Sequence, residues 1–167
     1  AQGGRKLGVE GEDASGVLSG IEFLRRVNAG ESMRLSGKTV VIGGGNVAVD
    51  VARTAVRAGS SETVMVCLES RKEMPASEEE IEEAQQEHIE IQNSWGPVRI
   101  LAENGKVTGV VFQRCVSVFD ENKRFSPKFD ASETITISAD HVLVTIGQSI
   151  LWGDLLAGCE AITNRNG

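Results

Sequence analysis

The strongest constraint on the fold is a segment at residues 39–50 with the sequence TVVIGGGNVAVD. The β-branched residues at 39–42 favour a buried strand, and the residues after 45 favour a helix. Between them lie Gly43, Gly44 and Gly45, here called the glycine-rich turn. The spacing of Gly43, Gly45 and Ala48 matches the turn that holds the pyrophosphate of a dinucleotide in strand–turn–helix units. The residues predicted to bind this group are Gly43, Gly44, Gly45, Asn46, Val47 and Ala48.

The small residues of this segment each have a physical role in the prediction. Gly43 lets the chain turn sharply off the strand, and Gly45 has no Cβ to keep a pyrophosphate away from the backbone. Ala48 is small enough for the helix to pack close to the strand. The first N–H groups of the helix then face the phosphates, where the helix dipole favours negative charge. The alternative is a tight turn that binds nothing, but the strand before it and the helix after it argue for binding.

Composition limits the classes of function. The chain has 167 residues and a net charge of -7 at pH 7 without a basic stripe, which argues against nucleic-acid binding. No apolar run approaches the roughly 20 residues of a membrane span, so no membrane partner is expected. The three cysteines are far apart and form no Cys-x-x-Cys motif, and no histidine or carboxylate set has metal-ligand spacing. We therefore predict no metal site, and the cysteine usage fits a reducing, cytoplasmic compartment.

Periodicity and turn residues predict an α/β fold. Helices are predicted at 20–28, 46–58 and 78–87, and buried strands at 39–43, 62–68 and 140–146. A further strand is predicted to begin at 89–91. Residues 98–101, 107–119 and 133–138 are predicted to form an antiparallel meander with a hairpin turn at Asn104 and Gly105. Residues 95–97 are predicted to break a strand, and residues 120–132 to form a polar loop. The predicted fold class is a Rossmann-like three-layer domain with a central parallel sheet and a three-stranded antiparallel β-meander.

Glu69 follows the second predicted strand, roughly 25 residues after Gly43, where this fold places the acid that binds the adenosine ribose. A carboxylate there accepts hydrogen bonds from both ribose hydroxyls and repels a 2′-phosphate. Arg71 and Lys72 favour the opposite preference, because both could pair with a 2′-phosphate. The residues alone therefore leave the choice between NAD and NADP open, and Glu69 could also be a surface glutamate without a ligand.

Four segments resemble a known family. They are GVLSGIEFL at 16–24, VIGGGNVAVDVARTA at 41–55, RKEMPA at 71–76 and VTIGQ at 144–148. Together they resemble the NAD(P)H-binding domain of two-dinucleotide-fold flavoprotein oxidoreductases. They are most similar to the small (beta) subunit of glutamate synthase and its relatives, which include part of dihydropyrimidine dehydrogenase. The resemblance covers most of residues 16–150.

The resemblance implies that this domain is inserted into an FAD domain. Residues 1–36, which include a short helix, would connect from the FAD domain, residues 37–147 would bind NAD(P)H, and residues 148–167 would lead back. The chain has no second glycine-rich fingerprint, so we expect an excised fragment that holds no FAD by itself. FAD would be a cofactor of the full-length protein only. Hydride would pass from NAD(P)H to FAD, and electrons would continue to a partner, an iron–sulfur or large catalytic subunit.

The resemblance also bears on individual ligand residues. Relatives that use NADPH tend to carry two arginines at the end of the second strand, whereas Leu68 and Glu69 stand here and only Arg71 matches. NAD(H) is therefore favoured over NADP(H). The nicotinamide is expected near Gly147 and Gln148, facing the flavin, and no catalytic side chain is predicted because cofactors would carry the reaction. Two alternatives are a non-catalytic dinucleotide-binding regulatory module and an FAD or other nucleotide site at the glycine-rich turn.

Overall fold

The computed structural model describes residues 11, 14–31 and 34–145 of the chain. The predictions for Gly147, Gln148 and the connector at 148–167 lie outside the described residues, as does most of the segment at residues 1–16. In chain order the elements are β1 (Val17–Ser19), α1 (Gly20–Asn28), β2 (Gly37–Ile42), α2 (Asn46–Arg57), β3 (Ser60–Val66), α3 (Glu78–Gln86), β4 (Glu90–Gln92), β5 (Trp95–Glu103), β6 (Lys106–Phe119), β7 (Phe125–Ser138) and β8 (His141–Val144).

A parallel sheet forms the centre of the fold, with the strand order β1-β8-β2-β3-β4. β2 lies in the middle, where Val40 is paired with Val142 of β8 on one side and Val64 of β3 on the other. Because these strands are parallel, the segments that follow β2, β3 and β8 emerge at the same edge of the sheet. Ligands of open α/β sheets bind at this carboxyl edge.

The two faces of the parallel sheet are covered by different layers. Val41, Met65 and Leu143 pack in one hydrophobic cluster with the buried residues of the three helices. Their neighbours Val40 and Val64 belong to a second cluster, which includes the buried residues of the antiparallel sheet β5-β6-β7. Successive residues of a strand point to opposite faces, so each central strand contributes to both cores. The predicted three-layer fold with a separate meander is confirmed.

Serine residues cap two of the helices as local sequence predicts. The Ser19 hydroxyl accepts a hydrogen bond from the Glu22 N–H at 3.2 Å, and the Ser77 hydroxyl accepts one from the Glu80 N–H at 3.2 Å. Both contacts satisfy donors that a helix start leaves without an intrahelical partner. The observed α1 and α3 match the predicted helices to within one residue. None of the helices in the described ranges is long and apolar enough to cross a membrane.

Two predictions about the strands are wrong, and one strand was not predicted. Residues 120–132 are not a loop, since β7 begins at Phe125 and only a short turn precedes it. The sheet tolerates polar residues and Pro127 there because β7 is an edge strand with an irregular register. Residues 95–97 do not break a strand but begin β5, another edge strand. β1 was not predicted, because its three residues are too few to show a period and it is defined by pairing with β8.

Candidate functional site at the glycine-rich turn

Gly43 is required by the protein's own backbone and packing. Its φ angle is 149°, which L side chains rarely adopt, and its N–H donates to the Val66 carbonyl oxygen at 2.9 Å. A Cβ at this position would collide with the Thr145 hydroxyl and lie 3.3 Å from the Cβ of Ala48. Gly43 and the fully buried Ala48 therefore let β2, α2 and the end of β8 approach closely, which is the packing expected of this turn.

Gly44 allows the segment after β3 to approach the glycine-rich turn. A Cβ at Gly44 would lie 2.9 Å from the Cβ of Cys67 and 3.0 Å from Oε1 of Glu69. The Gly44 carbonyl oxygen also accepts a hydrogen bond from the N–H of Ala76 at 3.1 Å. The segments after β2 and β3 thus meet at the carboxyl edge of the sheet, and the structure brings Glu69 beside the turn as its spacing predicts.

Gly45 differs from Gly43 and Gly44, because nothing in the described part of the chain requires a glycine there. Its φ of −96° and ψ of −176° are open to any residue. A Cβ at Gly45 would find one neighbour within 4 Å among the described residues, the Cβ of Pro75 at 3.8 Å, which is an ordinary van der Waals distance. The missing side chain therefore leaves space at the start of α2 that the described part of the chain does not fill.

The N-terminus of α2 also has donors without acceptors. No side chain caps this helix within the described ranges, in contrast to the serine caps of α1 and α3. The N–H groups of Gly44, Gly45, Asn46 and Val47 donate to no acceptor among the described residues. Asn46 and Val47 are exposed, with Val47 44% accessible. Free N–H groups combined with the positive end of the helix dipole are suited to bind an anion such as a pyrophosphate.

Glu69 is a partly buried residue whose carboxylate lies beside Gly44 of the glycine-rich turn. Burial raises the pKa of Glu69 above its ordinary value, and the nearby Glu73 adds to the effect. Its backbone carbonyl oxygen accepts from the side chain of Asn93 at 3.1 Å and from the N–H of Ser94 at 3.2 Å, so the segment is held in place. A carboxylate that is costly to bury, on a backbone segment held in place, is typical of a group that receives hydrogen bonds from a ligand.

Arg71 and Lys72 do not share the surroundings of Glu69. The Arg71 guanidinium donates two hydrogen bonds to Glu78, at 3.1 and 2.9 Å, and is therefore engaged by a carboxylate of α3. Lys72 is exposed, and it forms no hydrogen bond or ion pair within the described part of the chain. Arg71 and Lys72 are thus near the site in sequence, but the cationic group of Arg71 already has an anionic partner.

One contribution to the site was missed by the sequence interpretation. The Asn46 side-chain oxygen accepts a hydrogen bond from the N–H of Ser77 at 3.1 Å, which fixes the segment 74–77 against the start of α2. The resemblance of residues 71–76 indicated that this segment matters, but it did not indicate which side chain holds it. Elsewhere in α3 the run of glutamates is typical of a solvated face, but Oε1 of Glu80 is buried and has no hydrogen-bond partner among the described residues. The charge of Glu80 contributes to the raised pKa of Arg53 in α2.

The described residues were compared with the requirements of a metal site and of a reactive thiol. They contain no group of three or more His, Cys, Asp or Glu side chains able to hold a metal ion. Cys67 and Cys115 are free and buried, and burial raises the pKa of Cys67 to about 12 and that of Cys115 to about 11. Both thiols are therefore protonated at neutral pH, and a thiolate nucleophile is disfavoured at either position.

Comparison with known proteins places these features in context. The family model described as "Pyridine nucleotide-disulphide oxidoreductase" matches residues 1–151. The NADPH-Fe(3+) oxidoreductase subunit beta of Geobacter sulfurreducens is 38% identical over 152 residues, which are 86% of this chain and 22% of the relative. The glutamate synthase [NADPH] small chain of Escherichia coli is 31% identical over 153 residues, which are 84% of this chain and 32% of the relative.

A solved structure supports the fold assignment. FprA from Mycobacterium tuberculosis, in complex with NADPH, superposes with a TM-score of 0.73 at 22% sequence identity. The match covers 88% of this chain and 48% of FprA. At this identity the similarity concerns the fold alone. In the two sequence relatives this chain spans about a fifth to a third of the relative's length.

Proposed function

This chain belongs to the pyridine nucleotide-disulphide oxidoreductase family, and we propose that it is the nicotinamide-dinucleotide-binding domain of an FAD-dependent oxidoreductase. The observation that carries the proposal is Gly45, because neither its backbone conformation nor packing within the described residues requires a glycine. It lies beside N–H groups that have no acceptor in the same part of the chain. A ligand that approaches the backbone closely would account for both features. The pyrophosphate would be held by the backbone N–H groups at the start of α2.

The remaining residues would position the rest of the dinucleotide. Glu69 would accept hydrogen bonds from the adenosine ribose, and Gly147 and Gln148 would lie near the nicotinamide. When bound, NAD(P)H would supply a hydride that reduces FAD in the full-length protein. No side chain of this chain needs to act as an acid or base, so its contribution is to bind and orient.

We further propose that this domain prefers NADH to NADPH. The carboxylate of Glu69 lies next to Gly44 and would repel a 2′-phosphate, and Arg71 is engaged by Glu78. The preference would set this chain apart from the two relatives described above, because both are named as NADPH enzymes. The proposal therefore rests on local chemistry and is open to a direct comparison of the two nucleotides.

The relatives also suggest how the domain fits into a larger assembly. They are named as a "subunit beta" and a "small chain", which are parts of multi-subunit enzymes. We propose that residues 1–36 and 148–167 connect this domain to an FAD domain of the same full-length protein. A partner, an iron–sulfur or large catalytic subunit, would then receive the electrons.

The test uses the full-length gene product that carries this chain. We expect a yellow, flavin-containing protein whose flavin absorption is bleached by NADH without oxygen, with a lower half-saturating concentration for NADH than for NADPH. Failure of both nucleotides to bind would overturn the proposed function. Tight nucleotide binding without flavin would favour the regulatory-module alternative. A clear advantage for NADPH would leave the binding domain in place but contradict the role assigned to Glu69.

A further inference from the structure

The ion pair between Arg71 and Glu78 joins the segment after β3 to the first residue of α3. Two N–H groups of the Arg71 guanidinium each donate to a different oxygen of Glu78, at 3.1 and 2.9 Å. This two-pronged geometry is the same one that arginine uses to bind phosphate. Glu78 therefore occupies two of the five N–H donors of Arg71, and they form one of the paired sets that arginine can offer to a phosphate group.

We propose that Glu78 is a specificity-determining residue, which lowers the affinity for NADPH relative to NADH by holding Arg71 in a competing ion pair. The inference rests on the proposed function, since it concerns the nucleotide at the same site. Glu78 does not touch the nucleotide in this proposal, and it acts through Arg71 as a positioning residue. A 2′-phosphate would have to displace Glu78 from Arg71 before it could form the same two hydrogen bonds.

The charges around Arg71 strengthen the competition. In residues 69–80 the only basic side chains are Arg71 and Lys72, against five glutamates. Glu73 accepts hydrogen bonds from the N–H and hydroxyl of Ser70, so a further carboxylate is held on the same segment. A 2′-phosphate that took Arg71 would leave the ionised Glu78 without its cation and close to a dianion. That like-charge arrangement is unfavourable and is absent when the ligand is NADH.

The exposure of the pair allows the competition to occur without unfolding. The side chains of Arg71 and Glu78 are 37% and 67% accessible, so the ion pair can open while α3 stays folded. Exposed pairs contribute little to stability, which makes a purely structural role a weak explanation for this contact. If the ion pair had only a structural role, its loss would shift the whole segment after β3. The affinities for NADH and NADPH would then change equally.

The decisive experiment compares Glu78→Gln with Glu79→Gln in the full-length gene product. Glu79 is the next residue, is exposed, and makes no hydrogen bond to Arg71, so its replacement removes the same charge without freeing the arginine. Calorimetric titration with NAD⁺ and NADP⁺ measures binding without turnover. For E78Q we expect NADP⁺ affinity to rise about two- to fivefold, the effect expected of one exposed ion pair. NAD⁺ affinity should be unchanged, and E79Q should alter neither.

A double-substitution series isolates the role of Arg71. In an Arg71→Ala background, Glu78→Gln should no longer raise NADP⁺ affinity, because the arginine it frees is gone. An equal rise for NAD⁺ and NADP⁺, an equal rise in E79Q, or an undiminished rise without Arg71 would each overturn the inference. If the unaltered protein binds both nucleotides but E78Q leaves their ratio unchanged, only this inference fails. If the unaltered protein binds neither, the proposed function fails as well.

Discussion

Thr145 lies directly against Gly43, where any side chain on the glycine would collide with the threonine hydroxyl. The Thr145 hydroxyl and backbone N–H both donate to the carbonyl oxygen of Ile42 at 2.9 Å. The end of β8 is therefore locked to the end of β2, immediately before the glycine-rich turn. Two glycines that stand two residues apart consequently have different roles, because Gly43 is needed for this contact and Gly45 is not.

This difference predicts opposite effects of two alanine substitutions. Gly43→Ala should destabilise the chain by about 2–4 kcal/mol, since it combines a strained φ with a steric clash. Gly45→Ala should change stability by less than about 1 kcal/mol, because the backbone conformation and the space both accept a Cβ. If a pyrophosphate lies against Gly45, the same substitution should weaken dinucleotide binding about tenfold or more. Urea unfolding and calorimetric titration would measure the two effects separately.

Each variant serves as the control for the other. A Gly45→Ala protein that unfolds as easily as Gly43→Ala would show that packing, and not a ligand, explains the second glycine. Normal dinucleotide affinity in a stable Gly45→Ala protein would contradict the close approach of the pyrophosphate.

We expect the ionised carboxylate of Glu69 to lower the stability of the fold while it strengthens nucleotide binding. Because burial raises the pKa of Glu69 in the folded state, the folded protein holds this proton more tightly than the unfolded chain. Below the unfolded pKa of about 4.3 the carboxyl is protonated in both states, and the stability that the protonated form contributes is fully present. As the pH rises through the folded-state pKa, the buried carboxyl ionises and this contribution to the free energy of unfolding is lost. Glu69→Gln should therefore be more stable than the unaltered chain at neutral pH, and the difference should vanish near pH 4. Urea unfolding across this pH range would measure it.

The same substitution should affect the ligand in the opposite direction. Glu69→Gln should weaken NADH binding about tenfold, because an amide replaces the charged acceptor of the ribose hydroxyls. The substitution should also reduce the difference in affinity between NADH and NADPH, since the repulsion between the carboxylate and the 2′-phosphate is removed. Glu79→Gln is the matched control for charge on an exposed position. A less stable E69Q protein at neutral pH would show that Glu69 is held by favourable contacts and not by a functional requirement.

The features that sequence predicts well are those with local causes. Ser19 and Ser77 mark helix starts through contacts three residues away, and Asn104 and Gly105 adopt the positive φ angles that their hairpin turn needs. The glycine-rich turn and the approach of Glu69 also follow from spacing along one βαβ unit. By contrast, β1 is a strand only because β8 lies beside it, and the first half of β7 is polar because it lies at an edge.

Some contacts in the candidate site also depend on the arrangement of distant elements and not on local sequence. The hydrogen bond between Asn46 and Ser77 and the ion pair between Arg71 and Glu78 connect different elements. Their formation depends on how the segment after β3 folds back to α2 and α3, which no local period encodes. Sequence reasoning identified the residue types that a nucleotide site needs. It treated Arg71 as available to a 2′-phosphate, whereas in the structure Arg71 forms an ion pair with Glu78.

Arg53 shows the same limit one to two turns further along α2, and it leads to a final prediction. Arg53 and Arg57 are one turn apart, but only Arg53 reaches two carboxylates of the α3 segment. It donates to Glu87 at 2.7 Å and to Glu83 at 2.8 Å, and its side chain is 25% accessible. Arg57 reaches Glu87 alone, at 3.2 Å, and is 59% accessible. The hydrogen bond to Glu87 is also the largest cause that raises the pKa of Arg53.

Arg53→Ala should therefore destabilise the chain by about 1–2 kcal/mol, whereas Arg57→Ala should cost less than about 0.5 kcal/mol. The first substitution removes two charge-assisted hydrogen bonds and the packing of the arginine stem between α2 and α3. Arg53→Lys should recover only part of the loss, because a single ammonium group cannot reproduce the planar fork that spans both carboxylates. Urea unfolding at low and high salt would measure these differences, and the Arg53 effect should shrink with salt. An equal decrease in the free energy of unfolding for Arg53→Ala and Arg57→Ala would contradict this prediction. It would show that the positive charge of α2 stabilises its contact with α3, and that the two hydrogen bonds of Arg53 add nothing specific.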